Sequence, residues 1–158
     1  MNVSMQKVLS RKFLLLIGIC FLIMRLDSAY LEEIVGLDEQ LLAAVETSDV
    51  ALAHKLLQEG ANINYTDTLG DSLLIIASCN GDLEMVEMLL EAEDIEVNAV
   101  DRGGRTALID SSLYGDKEII KIILKAKGIN VNAADNQWET ALIVACHKGH
   151  VDVVEILI

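Results

Sequence analysis

Past residue 37 the apolar positions of this chain come in pairs of short runs, and the pairs repeat. The first run of each pair opens directly after a hydroxyl residue: Leu73-Leu74-Ile75 after Ser72, Ala107-Leu108-Ile109 after Thr106, and Ala141-Leu142-Ile143 after Thr140. A hydroxyl there can accept from a free backbone N–H and cap a helix start. The pattern therefore predicts short helices over Leu73–Asn80, Ala107–Tyr114 and Ala141–Lys148, each followed by a glycine (Gly81, Gly115, Gly149) where a left-handed residue ends a helix. The second run of each pair follows Asp82, Asp116 or His150. Its apolar residues (Leu83, Val86, Leu90; Ile119, Ile120, Ile123, Leu124; Val151, Val154, Leu157) recur at three- and four-residue steps, one face of a helix. The whole arrangement has a period of 34 residues, set by Asp67, Asp101 and Asp135. A fixed period of this size is the mark of a stacked repeat array.

Between the helix pairs lie polar turns of the form Asp-x-x-[Gly/Trp]-x-[Ser/Thr]: Asp67–Ser72, Asp101–Thr106 and Asp135–Thr140. Aspartate bonds its own backbone in such turns, and glycine takes a positive φ without steric cost. Upstream, Leu41–Ala44 and Val50–Leu57 fit the same two-helix outline, with Ser48-Asp49 in place of the Gly-Asp pair. The acids Glu32, Glu33, Asp38 and Glu39 precede that first helix, so residues 30–64 read as the polar, atypical end unit that closes a stack. Units at 65–100, 101–134 and 135–158 follow. The last stops at Ile156-Leu157-Ile158, inside its second helix and without a polar cap, which leads us to expect that the sequence continues.

The unit resembles the ankyrin repeat. Thr106-Ala107-Leu108-Ile109 and Thr140-Ala141-Leu142-Ile143, with a weaker Ser72-Leu73-Leu74-Ile75, stand where that family has Thr-Pro-Leu-His. Gly149-His150 matches its Gly-His pair, which implies a helix-capping role for His150. Pro is replaced by Ala or Leu, and His by Ile, which substitutes packing for a polar link. The resemblance implies an all-α solenoid of stacked helix-turn-helix units with β-turn loops. It also implies a partner on the concave side, formed by turn tips and first helices. Carried over by position, that surface is Thr68, Leu69, Asp71, Cys79 and Asn80, then Arg102, Arg105, Leu113 and Tyr114, then Asn136, Gln137, Glu139, His147 and Lys148. Trp138 takes the place of a turn glycine and is either an interface anchor or folded back onto Tyr114 or the neighbouring turn. Arg102 and Arg105 form the one tight basic pair of the repeats, and with Tyr114 and Trp138 they suggest a docking patch.

Charge narrows the partner. The chain carries 12 Lys+Arg against 25 Asp+Glu, and from residue 29 on only 8 basic residues face 24 acids. The balance argues against nucleic acid or an anionic lipid surface as a partner, because phosphate contacts need clustered cations. The segment 1–29 differs in kind. Lys7, Arg11 and Lys12 precede the apolar run Phe13–Met24, which predicts a secretory signal cleaved after Ser28 or Ala29, or else an uncleaved signal anchor holding the repeats at a membrane. That run is short for a membrane span. The expected location is therefore exported (secreted, periplasmic or cell-surface), with membrane contact only if the segment is retained. Cys20 follows Ile19 rather than a small residue and does not suit a lipoprotein acceptor.

No constellation for chemistry emerges. Cys79 and Cys146 sit two units apart, too far for a disulfide. His147 and His150 are separated by Gly149, which ends the helix and spoils a metal-binding spacing. Glu91–Glu96 is acid-rich but lacks calcium-loop spacing. Asn64-Tyr65-Thr66 is a glycosylation sequon, though Asn64 shares its repeat position with Asn98 and Asn132, which points to a structural role. The expectation is a non-enzymatic protein-interaction scaffold with no cofactor or metal. The alternative is the N-terminal interaction module of a longer multidomain protein whose activity lies beyond Ile158.

Overall fold

The structure, a computed structural model, describes residues 36–158. The expected signal segment 1–29, with Cys20, and the start of the end unit, with Glu32 and Glu33, lie outside the described residues. Among the described residues eight helices follow one another: α1 (Leu37–Glu46), α2 (Val50–Gln58), α3 (Leu73–Cys79), α4 (Leu83–Leu90), α5 (Ala107–Tyr114), α6 (Lys117–Ile123), α7 (Ala141–Lys148) and α8 (Val151–Leu157). Consecutive helices pair within a unit. Across units the first helices α1, α3, α5 and α7 stack in one row and the second helices α2, α4, α6 and α8 in another. The result is an all-α solenoid. Its strand-like content among the described residues is three isolated bridges, Thr66–Ser72, Val100–Thr106 and Ala134–Thr140, one at the neck of each turn.

Local chemistry sets the helix ends. Ser72, Thr106 and Thr140 accept from the backbone N–H of Ile75, Ile109 and Ile143, and Asp49, Asp82 and Asp116 accept from Leu52, Met85 and Ile119. Each such cap contributes about 1 kcal/mol. Helix α3 ends at Cys79, and Asn80 is its C-terminal cap rather than its last residue. Ser48 holds φ 58°, so the corner that later units build with glycine is kept here at the cost of a strained residue.

Packing corrects part of the apolar reading. Leu83 and Val151, the first residues of α4 and α8, sit at an open corner, and Val151 is 65% exposed. Met85 and Val153, two residues further along, are the inward positions there, while Val86, Ile119, Ile120 and Ile123 are buried as expected. Ile75 and Ile109, which replace the family's His, are buried as expected, whereas Ile143 in α7 is 40% exposed because no further unit covers it among the described residues.

The loops opposite the turns are stapled by the recurring asparagine. Asn64 Nδ2 donates to the Asp94 carbonyl (2.8 Å) while its Oδ1 accepts from Glu96 N (2.9 Å). Asn98 does the same one unit on, to the Gly128 carbonyl and from Asn130 N, both at 2.8 Å. The sequon asparagine thus spends on a neighbouring loop the amide nitrogen that a sugar would need. Asn98→Ala leaves a carbonyl and an N–H without their partner, and we expect a loss of about 1–2 kcal/mol in chemical denaturation, with Asn98→Asp recovering at most the accepting half. No described helix is long and apolar enough to cross a membrane.

Candidate functional site

The turn tips and the row α3–α5–α7 form one side of the solenoid, and a cleft opens there between the last two units. This cleft of about 410 Å³ has an apolar floor of Ile109, Leu113 and Val144. Arg105, Asp135, Glu139, His147, Lys148, Gly103 and Gln137 complete its walls. Six of the residues expected from the sequence (Arg105, Leu113, Gln137, Glu139, His147, Lys148) meet there. Thr68, Leu69, Asp71, Cys79, Asn80, Arg102, Tyr114, Asn136 and Trp138 do not line it. Ile109 and Val144 went unrecognised because buried aliphatic positions look alike in sequence whether or not they floor a cleft.

One wall is built around a carboxylate that the sequence reading overlooked. Asp110 in α5 is only 2% exposed and stands where the sister units carry Ile76 and Val144. Arg105 compensates it. Its Nη1 lies 3.0 Å from Asp110 Oδ1, a charge contact without the alignment of a hydrogen bond, while Nε and Nη2 donate to Asp101 Oδ2 at 3.1 and 2.9 Å. Asp101 is held below the usual carboxylate range: burial pushes it up, but the backbone N–H and guanidinium of Arg105 outweigh that. Asp110 moves the other way, raised by burial against the pull of Arg105, with Asp101 and Asp71 adding to the rise. Asp71, at the turn position that Arg105 and Glu139 fill in later units, is also raised, by burial and then by Asp67 and Asp101.

The sulfur of Cys79 leans on Asp110 Oδ2 at 3.8 Å. Burial first, and then Asp110 and Asp71, push this thiol up to about 11. It stays protonated near neutrality, which removes the thiolate a nucleophile needs. Both Cys79 and Cys146 are free.

The basic pair reads differently in three dimensions. Arg105 is occupied by Asp101 and Asp110, and Arg102 Nη2 donates to the Thr68 carbonyl at 2.6 Å. Arg105 is thus ion-paired within the chain, whereas Arg102 is exposed and held at one nitrogen by a backbone carbonyl. His150 also departs from expectation. Its side chain caps nothing on α8; instead Nε2 lies 3.1 Å from the Leu113 carbonyl, joining α8's start to the end of α5. The ring rests on Gly115, where any Cβ would stand 2.7 Å from His150 Nδ1. His147 Nδ1 sits 2.7 Å from Glu139 Oε1, across the cleft wall. Among the described residues no group of three or more His, Cys, Asp or Glu side chains is placed to hold a metal.

Trp138 occupies the turn position of Gly70 and Gly104 and takes their backbone: its φ is 64°, against 87° and 79°. A positive φ costs a non-glycine residue about 1–2 kcal/mol. The turn's need for a left-handed residue is therefore present at Trp138 too, and is met by strain. The side chain does not fold back, since Trp138 is 85% exposed; Tyr114 is exposed as well.

A model of ankyrin repeats in three copies matches residues 41–135, and a single ankyrin repeat matches 137–158. No curated protein matches the chain. Ankyrin repeats are generally protein–protein interaction modules and are typically non-enzymatic. Paired helices, capped turns and family match agree, and the chain belongs to the ankyrin repeat family.

Proposed function

We propose that this protein is an exported, non-enzymatic scaffold that binds a protein partner through the turn-and-first-helix side of its solenoid. The observation that carries the binding reading is the cleft between the last two units, where an apolar floor of Ile109, Leu113 and Val144 is ringed by charged and polar side chains. That is the anatomy of a protein interface: an apolar centre and a polar rim. The excess of acids makes a basic partner surface the better electrostatic match and steers its approach.

A photo-crosslinking residue at Leu113 tests the face used. Adducts with a partner are expected from Leu113 and Tyr114 and not from Glu118 on α6, on the opposite row. Adducts from Glu118 alone would move the interface to the other side and end this reading.

Export is supported by the basic and apolar pattern of residues 1–29. Intact-mass spectrometry on fractionated source cells should find a species lacking about the first 28 residues outside the cytoplasm. A full-length mass in the membrane fraction would instead mean an uncleaved anchor. A full-length mass in the cytosol would remove export altogether.

A further inference from the structure

The second helices of the two middle units carry opposite charge at matched positions. Moved forward by one repeat, Glu87 in α4 lands on Lys121 in α6, Glu91 on Lys125 and Glu93 on Lys127. All six side chains are exposed. Residues 83–96 hold six acids and no base, whereas residues 117–128 hold four lysines and one acid, half of the 8 basic residues found from residue 29 on. The two helices pack side by side, so within the chain the rows lie beside each other rather than facing. Among the described residues no ion pair joins them. Lys121 turns back to Glu118 at 2.8 Å, Lys117 crosses to Asp152 on α8 at 3.3 Å, and Glu87, Glu91 and Lys125 enter none. Between the helices runs a groove of about 410 Å³, floored by half-buried Leu90, Ile122 and Ala126 and edged by Glu87, Glu91 and Lys125. It lies on the flank of the stack, in the row opposite the turn-side cleft. Each repeat touches only its neighbours, so units stacked before or after leave this flank open.

We propose that this flank is a self-association surface, on which a second copy of the chain docks its own α4–α6 face. A two-fold axis along the groove turns α4 of one copy onto α6 of the other and keeps the direction of both. Each acid then meets the lysine of its own repeat position, Glu87 with Lys121 and Glu91 with Lys125, and the reciprocal pairs form at once, as an isologous contact requires. A two-fold axis across the helices would instead set acid on acid and lysine on lysine, so charge selects one orientation. The groove floor supplies an apolar centre and the charged pairs a polar rim. The formal charge of −13 opposes a second copy at long range. At physiological ionic strength that repulsion is screened beyond about 8 Å, whereas pairs in contact act well within this distance. The Lys121–Glu118 pair is exposed on both sides and worth little, so Lys121 is readily exchanged to the other copy. Helices of eight and seven residues give a face only about 12 Å long, which makes the dimer weak and dependent on concentration.

Sedimentation equilibrium on the whole chain tests this. The mean mass should rise with concentration from 17.3 kDa toward twice that value. Raising the salt to about 1 M should weaken the association. Lys121→Glu with Lys125→Glu puts acids on both helices, and Glu87→Lys with Glu91→Lys puts lysines on both. Each double variant alone should associate at least about ten-fold more weakly than the unaltered chain. An equimolar mixture of the two should associate at least as well as the unaltered chain, because every facing pair is again of opposite sign. Both variants stay net negative, so indiscriminate attraction does not imitate this result. The exchanged side chains are exposed, and recovery in the mixture itself requires both variants to be folded. The mass of a single chain up to about 1 mM, association that survives in each variant alone, or a mixture that stays monomeric would each overturn the proposal. Among the crosslinked products from Leu113, Tyr114 and Glu118, a self-adduct is recognised by twice the mass of the chain. The flank and the turn-side cleft are thus scored independently, and either can fail alone.

Discussion

Arg105→Ala should destabilise the domain by about 2–3 kcal/mol at neutral pH, and Asp110→Asn added to it should restore most of the loss. Removing the guanidinium leaves the Asp110 carboxylate buried with no compensating charge and takes two hydrogen bonds from Asp101. Such a group costs more than an ordinary lost contact because the desolvation of the remaining charge is no longer repaid. The figure is set below that for a fully enclosed pair because the Arg105 side chain is 37% exposed, and water screens part of the interaction. For a domain stable by about 5–15 kcal/mol this is a large fraction. Urea denaturation of both single variants and the double variant gives the coupling directly. A double variant as unstable as Arg105→Ala alone would show that Asp110 is not the group Arg105 serves.

The same pair fixes a pH dependence. Asp110 has a raised value in the folded chain, so the folded state binds its proton more readily than the unfolded one. Its contribution is fully present below the ordinary aspartate range and is lost as the pH rises through the raised folded value. Asp101, held low, works in reverse: its contribution is present above the ordinary range and is lost as the pH falls through the lowered folded value. In Arg105→Ala both groups lose their partner, so the deficit relative to the unaltered chain should be greatest at neutral pH and shrink on acidification. Melting curves at neutral pH and below the ordinary aspartate range read this out. A deficit that grew in acid would contradict it.

Much of the fold could be read in the sequence because its determinants are local and repeated. A hydroxyl before an apolar run, an aspartate at the head of a turn and a glycine after a helix each act within four residues. The 34-residue period then shows that the local solutions are one solution. The site was legible only where it reused repeat positions, as with Leu113, Glu139 and His147. Asp110 escaped because its burial depends on a neighbour's charge. One signal could have exposed it. Arg105 stands where the sister units have the acids Asp71 and Glu139, while Asp110 stands where they have Ile76 and Val144. A reversed charge and a charge gained in the same unit together suggest a pair, even before any coordinates. His150 was misjudged for the opposite reason. Its place after Gly149 resembles the capping aspartates, but an imidazole is long enough to bypass α8's own N-terminus and reach Leu113 in the preceding unit.

Gly104→Ala and Trp138→Gly alter the same turn position in consecutive units and should move stability in opposite directions. At Gly104 a methyl group meets two penalties at once. The backbone stands at φ 79°, and the new Cβ would lie 2.9 Å from Asn136 N and 2.7 Å from Asn136 Oδ1. The strain alone costs about 1–2 kcal/mol. The close approach to a backbone atom cannot be relieved by a rotamer change, so the two turns must part and lose the Asn136 bonds to Gly103 and Arg102. A total of about 2–3 kcal/mol follows, at about 1 kcal/mol for the lost bonds. Trp138→Gly relieves the same backbone strain, and little is lost with an indole that is 85% exposed. The greater freedom of glycine in the unfolded chain takes back part of that gain, leaving a net stabilisation of about 0.5–1 kcal/mol. Thermal melts of the two variants decide the matter. If Trp138→Gly lowered the midpoint, the indole would have to be making contacts that offset its strain, and an exposed anchor held for a partner would no longer describe it. If it raises the midpoint, the left-handed tryptophan at this turn is held at the expense of stability.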